Sequence, residues 1–479
     1  MRWRIEKVDK IMNRLKQFFQ TALTYLAGSI LSKLVTFFLI PLYTNQLSTN
    51  EYGEYDVTIT IITLLVSVAF FQIWDGMFRM SFDESKTEDK YQIIGICLKG
   101  YGLGIVLFSV LYYLISTFAI TQQGILPYIF GIVFGAQYMY SFAARVFLKN
   151  KLFVLSGAIS TLTIALINIV LILQFHVGIQ SLYYAQIAGC VIQILIIETQ
   201  LHLIPNTIMT KTNPTKLKNI LKFSFPLCIA TVSYWLLSGY TKIIINRVCG
   251  SEENGLFAIA SSIANIAVIA VNVFQFAWNE TAYLMANDEN RVAMYRKCLD
   301  LLFCTVWVCC AAFCSIISII FPYYVGHAYQ NSSVVIPYLM VGVSANAIAG
   351  FLGTLFMTEQ KTRSIMVSTL VASGVNIVFS KFVTQAYGLV GAVLVLSASF
   401  VILMVIRLLQ IKKKLKISFS PFIFLSIFPA VLGVILYTLQ FGIIVNIVFL
   451  FSLVVGYIYI MKKIIGISFI DLILKKGKQ

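Results

Sequence analysis

A lysine stands deep in an apolar run at Lys33, within "SILSKLVTFFLIPLY". A charge at that depth in hydrocarbon costs on the order of 2.5–3.5 kcal/mol on insertion scales unless it meets water or a partner. Lys242 and Arg247 occupy the later part of a second run, "SYWLLSGYTKIIINRVC", while Lys99 and Lys381 stand near the ends of two others. The deep charges are mostly positive, which suits an anionic cargo better than a cationic one. Asp75 and Arg79, four apart in "WDGMFRM", share one helix face and can pair there, and Arg145 follows "SFAA" at the end of another run. The competing account for Lys33 is a snorkelling or carbonyl-bonded side chain, and for Asp75 and Arg79 an interfacial pair of little energetic worth.

Catalysis is not expected from these residue types. The paired carboxylates Glu252 and Glu253 sit in a short acidic turn, and His176, His202 and His327 lie far apart. An enzyme acting on a large polar substrate needs acid, base or nucleophile grouped on a sizeable loop. The nine cysteines follow no metal or disulfide spacing, and Cys304, Cys309, Cys310 and Cys314 fall in a single apolar run, where thiols pack as small apolar groups.

The elements that must position the charges are set by composition. With 59% hydrophobic and 11% charged residues, the chain is far from a soluble domain, in which about a quarter of residues are charged. Apolar stretches long enough to cross about 30 Å of hydrocarbon follow one another almost throughout, about fourteen in all. Among them are 56–78, 363–384 and 388–411. Long continuous runs exclude a barrel, so the expected class is an all-α integral membrane protein.

Every second gap between the runs is basic, and all but five of the 36 Lys and Arg residues fall on one side. Both termini are therefore expected in the cytoplasm, with no cleavable signal. The net charge of +17 then lies in loops facing anionic lipid rather than nucleic acid.

A repeat divides the chain. "NQLSTNEYGEYD" around Gly53 returns 202 residues later as "NRVCGSEENGLF" around Gly255, and "FFQIWDGMF" returns as "VFQFAWNET", with Phe274, Gln275, Trp278 and Asn279. Two pseudo-symmetric six-helix bundles with a parallel relation follow, and folds of that kind place the substrate path between their halves. The expected division is a basic amino terminus 1–18, a bundle 19–202, a linker 203–218, a second bundle 219–411, a basic linker 412–419, a trailing helix pair 420–462 and a basic tail 463–479. Lys33 and Lys242 would then face one wetted, cation-lined cleft from corresponding helices.

Four segments taken in order resemble the polysaccharide (O-antigen type) flippases of the multidrug/oligosaccharidyl-lipid/polysaccharide (MOP) exporter superfamily. They are "SILSKLVTFFLIPLYTNQLSTNEYGEYD", "FFQIWDGMFRMSF", "AARVFLKNKLF" and "FSFPLCIATVSYWLLSGYTKIIINRVCGSEENGLFAIA". The resemblance spans essentially the full length. It implies a MATE-like fold in the bacterial cytoplasmic membrane and alternating-access transfer of an undecaprenyl-pyrophosphate-linked oligosaccharide, an O-antigen, capsule or exopolysaccharide repeat unit, to the outer leaflet. Expected partners are that glycan, membrane lipids, and a polysaccharide polymerase or other assembly proteins. No cofactor is expected, while a proton, sodium or membrane-potential gradient is the candidate driving force. Within that reading Lys33, Lys242, Arg247, Arg79 and Arg145 would meet the pyrophosphate, with Asp75 restraining Arg79. Tyr138, Tyr234, Trp235 and Tyr240 would meet sugar, against the alternative that they are packing or interfacial residues. Pro226 is a candidate hinge in the seventh helix. In one departure, Thr241 stands before Lys242 where the family often has an acidic residue, so an ion pair is not carried over there. The alternatives within the superfamily are a peptidoglycan-precursor flippase and an ion-coupled drug exporter. Lys33→Ala is expected to abolish translocation with membrane insertion intact, read as loss of surface polysaccharide at unchanged protein level in the membrane fraction.

Overall fold

The computed structural model describes residues 35–81, 84, 86–117, 124–210, 213–266, 291–359, 361–415 and 425–465. Among these the regular structure is helical, without strands. The helices are α1 (35–46), α2 (Thr49–Ala69), α3 (Ile73–Ser81), α4 (Thr87–Thr117), α5 (Ile125–Val146), α6 (Asn150–Leu173) and α7 (Gln180–Leu201). There follow α8 (Leu203–Thr207), α9 (Pro214–Cys249), α10 (251–266), α11 (Arg291–Tyr324), α12 (Ile336–Thr358), α13 (Thr362–Leu415), α14 (Ile427–Thr438) and α15 (Ile443–Ile465). A 3-10 turn, His327–Val335, leads into α12. Ten of the described helices are long and apolar enough to cross a membrane. The chain is a multi-pass membrane protein, and Lys33, Phe274, Gln275, Trp278 and Asn279 lie outside the described residues.

One expected helix differs in the structure. The run 56–78 is not continuous: α2 ends at Ala69 and α3 starts at Ile73, with Phe71 and Gln72 both left-handed at φ 47°. The runs 363–384 and 388–411 are, as expected, two helices within one stretch of 54 residues, kinked where Gly388 is non-helical at φ 58° and ψ −144°. A straight helix of that length would reach about 80 Å, more than twice the hydrocarbon thickness. Gly388 supplies the change of direction because a residue without Cβ takes positive φ at little cost.

The chain forms two compact units, Met1–Leu47 with Glu54–Trp235, and Ser48–Gly53 with Leu236–Gln479. The first unit packs aromatic rings against small residues: Phe70 stacks on Tyr101 at 4.4 Å, and a Cβ at Gly131 would overlap the Phe108 ring. Polar side chains are matched across helices. Asn168 donates to the Tyr43 hydroxyl at 2.9 Å, Gln137 donates to Gln193, and Gln193 donates to Ser141 Oγ at 3.2 Å. In hydrocarbon such groups have no water to fall back on, so each partner is part of the fold's specification. The segment after α7 is tied down likewise: the Leu203 and Ile204 amides donate to Glu198, and Lys99 donates to the Thr210 carbonyl.

The second unit contains both copies of the repeated turn. A Cβ on Gly53 would overlap the Ser251 carbonyl oxygen, and one on Gly255 would overlap the Thr49 carbonyl oxygen. Each glycine thus meets the carbonyl four residues before its counterpart, and Asn254 donates to the Gly53 carbonyl at 2.8 Å. The turn recurs because its two copies seal against one another. Farther along this unit, Arg407 is buried and donates to Ser368 Oγ, Thr369 Oγ1 and the Ala349 carbonyl, fastening the end of α13 to its start and to α12.

Gly53→Ala and Gly255→Ala should each lower stability by about 1–3 kcal/mol, because backbone rather than a flexible side chain must yield. Gly102 has nothing within 4 Å of a Cβ, so Gly102→Ala should be neutral or stabilising. Thermal unfolding in detergent separates the two outcomes.

Candidate functional site

The site grows from the break between α2 and α3 in the first unit. Left-handed backbone costs a non-glycine residue roughly 1–2 kcal/mol, and here two such residues adjoin inside an apolar stretch. The strain is held by the first part of α9. Gln72 donates from Nε2 to Thr231 Oγ1 at 2.6 Å, the Gly76 amide donates to Ser224 Oγ at 3.1 Å, and Trp235 Nε1 donates to the Thr60 carbonyl at 3.0 Å. Cys228 adds a weaker S–H bond to the Ser67 carbonyl at 3.4 Å. Ser224, Cys228, Thr231 and Trp235 recur at spacings of three and four, so one face of α9 meets α2 and α3 along their length. At Gly76 the approach is so close that a Cβ would overlap Ser224 Oγ.

At this break the first unit has an open pocket of about 380 Å³, lined by Gln72, Asp75, Leu227, Thr231 and Tyr234. Gln72 is buried, Asp75 is half-buried in the first turn of α3, and Tyr234 is 48% exposed. The Gln72–Thr231 bond uses an amide proton and an acceptor site of the hydroxyl. Gln72 Oε1 remains as an acceptor and the Thr231 hydroxyl proton as a donor. The Asp75 carboxylate is within the influence of the Trp74 indole N–H and of the Arg145 charge. Trp74 in turn stacks on Tyr138, with centroids 4.9 Å apart and planes at 15°. Arg145 is half-buried with its guanidinium 4.6 Å from the Phe78 centroid, 4.9 Å from Phe142 and 5.8 Å from Phe153. Rings hold an arginine without neutralising it, so its field reaches the carboxylate.

Of the residues expected to bind, the fold brings Asp75, Tyr138, Arg145 and Tyr234 to this region of one unit. Arg79 is exposed in the last turn of α3. Lys242 and Tyr240 are half-buried on the part of α9 that belongs to the second unit, and Arg247 is exposed in its last turn. Trp235 is engaged with the Thr60 carbonyl, and α9 continues as helix through Pro226. Thr241 is buried and accepts from Asn376 Nδ2 at 3.1 Å, a neutral bond at the place where an acidic residue was noted as missing. Sequence reasoning did not single out Gln72 as a site residue, nor Thr231 and Leu227. "FFQIW" reads as ordinary apolar helix, and the hints at Gln72 were an amide among aromatics and its return as Gln275 in the repeated segment.

The comparisons with known proteins agree on class. Residues 18–278 match the family described as polysaccharide biosynthesis protein. The solved structure "Lipid II flippase MurJ, inward closed conformation" aligns over 91% of this chain and 98% of its own, at 17% identity and a TM-score of 0.69. An inward-facing multidrug resistance MATE family transporter of the MOP superfamily covers 81% of this chain and 94% of its own, at 12% identity and a TM-score of 0.64. A MOP superfamily transporter from Pyrococcus furiosus, whose title reports a binding pocket of reverse polarity, covers 83% and 95%, at 12% identity and a TM-score of 0.55. No curated protein matches the chain. The fold is that of the MATE and MurJ structures, and its holders are membrane transporters and flippases rather than enzymes. The chain belongs to the polysaccharide biosynthesis protein family.

Trp235→Phe removes one interhelical hydrogen bond and should lower stability by about 0.5–1.5 kcal/mol with transport preserved. Loss of transport at unchanged thermal stability would instead make its indole N–H a substrate contact.

Proposed function

We propose that this protein moves an undecaprenyl-pyrophosphate-linked oligosaccharide, a repeat unit of O-antigen, capsule or exopolysaccharide, from the inner to the outer leaflet of the bacterial cytoplasmic membrane by alternating access. The observation that carries the reading is the family match over 18–278, which contains every residue of the pocket at the α2–α3 break. A recess that offers an amide, a hydroxyl, a carboxylate and one aromatic ring within a membrane helix bundle suits a cargo whose head is too hydrophilic for hydrocarbon.

The physical task has two parts. The pyrophosphate needs positive charge along its path: one lysine about 4 Å from a phosphate charge contributes on the order of 4 kcal/mol at an effective dielectric near 20, before desolvation. Lys33, Lys242, Arg247, Arg79 and Arg145 are the proposed sources. The sugar needs hydrogen bonds in place of water, since an uncompensated hydroxyl costs roughly 1–3 kcal/mol in a protein interior. The prenyl tail stays in the bilayer, and contact with the head stays weak enough for release.

Deleting the gene should trap the lipid-linked repeat unit on the inner leaflet and remove the surface glycan. Chromatography of extracted undecaprenyl-linked intermediates, with inner-leaflet accessibility labelling, checks this. A normal glycan profile with altered tolerance to cationic drugs would favour an exporter, and accumulation of a peptidoglycan precursor would favour a different lipid cargo.

A further inference from the structure

We propose that the pocket at the α2–α3 break is a saccharide subsite that takes neighbouring hydroxyls of the carried glycan, rather than the phosphate group that carries it. The inference rests on the flippase reading above and gives Asp75 a sugar partner in place of Arg79.

The lining decides between ligand chemistries. A sugar diol offers each hydroxyl as donor and acceptor at once. Facing it here are an acceptor at Gln72 Oε1, a donor at the Thr231 hydroxyl and a carboxylate at Asp75. A carboxylate and a primary amide three residues apart can each accept from one of two vicinal hydroxyls. Tyr234, 48% exposed at the same recess, offers a ring on which the apolar C–H face of a pyranose can rest. Leu227 supplies the remaining apolar wall.

A pyrophosphate has the wrong sign for this recess, because the charged side chain among its lining residues is Asp75. Arg145 is not among the lining residues and sits against three phenylalanine rings. A lipophilic cation would satisfy Asp75 but leave Gln72 Oε1 and the Thr231 proton without partners, a mismatch that a site built for hydroxyls does not accept cheaply. The backbone points the same way. Two successive left-handed residues bring Gln72 to face Thr231, and strain of that kind persists where the surrounding structure fixes it for a purpose.

The test uses the full chain in nanodiscs, with Trp3, Trp278 and Trp307 replaced by Phe so that fluorescence of Trp74 and Trp235 reports on the region of the pocket. Two probes are titrated: the lipid-linked repeat unit purified from the deletion strain, and undecaprenyl pyrophosphate without sugar. Wild type should bind the glycosylated lipid about tenfold or more tighter, the worth of one or two added hydrogen bonds. Asp75→Asn, Gln72→Leu and Thr231→Val should erase that margin and leave the affinity for undecaprenyl pyrophosphate unchanged. Thermal unfolding of each variant confirms that it is folded, and Asp75→Asn keeps shape while removing charge. The subsite is overturned if the variants weaken both lipids equally or neither. It is also overturned if tetraphenylphosphonium binds wild type and loses its affinity in Asp75→Asn while the glycan margin persists. Failure of wild type to bind either lipid would instead sink the flippase reading.

Discussion

Hydrocarbon cannot hydrogen-bond to a peptide group, and an interruption in a membrane helix must be repaired by a neighbour. In this protein the interruption is the pair Phe71 and Gln72, and the neighbour is the first part of α9. Ser224, Cys228, Thr231 and Trp235 each reach a partner in α2, in α3 or at the break between them. Those four contacts hold the run 56–78 against α9 on both sides of its break. The run is two helices and a recess lined by Gln72, Asp75, Leu227, Thr231 and Tyr234.

The same constraint explains why many polar residues in these helices are not free for cargo. Gln137, Ser141 and Gln193 join α5 to α7 in the first unit, and Thr241 with Asn376 joins α9 to α13 in the second. A polar side chain spent on an interhelical bond lends specificity to the fold, at about 0.6–2 kcal/mol per bond in membrane proteins. Polar groups at the α2–α3 break differ in keeping capacity in reserve, and the recess beside them gives a solute access to it.

Close backbone approach is the second means of joining helices here, and it needs small residues. Gly53 and Gly255 hold corresponding places in a repeated sequence, and the Ser251 and Thr49 carbonyl oxygens respectively fill the space that a Cβ on each would need. Repetition in the chain is thereby converted into contact. Gly76 does the same for α3 and α9, where even a methyl group would push away the Ser224 hydroxyl that the Gly76 amide requires.

Much of this was written in local sequence. Apolar run length determined the membrane class and the helical content, because the cost of burying charge and unpaired peptide groups acts residue by residue. The repeat pointed correctly at Gly53 and Gly255 without revealing that they touch. Asp75 and Tyr234 drew notice through their types, but nothing near either one names the other. Gln72 and Thr231 are 159 residues apart, and each is unremarkable alone. The tertiary structure alone decided where the second apolar run breaks, which amides and hydroxyls are consumed by packing, and which remain around a recess. Those outcomes depend on partners brought from distant parts of the chain, and a hydrogen bond leaves no periodic mark in sequence.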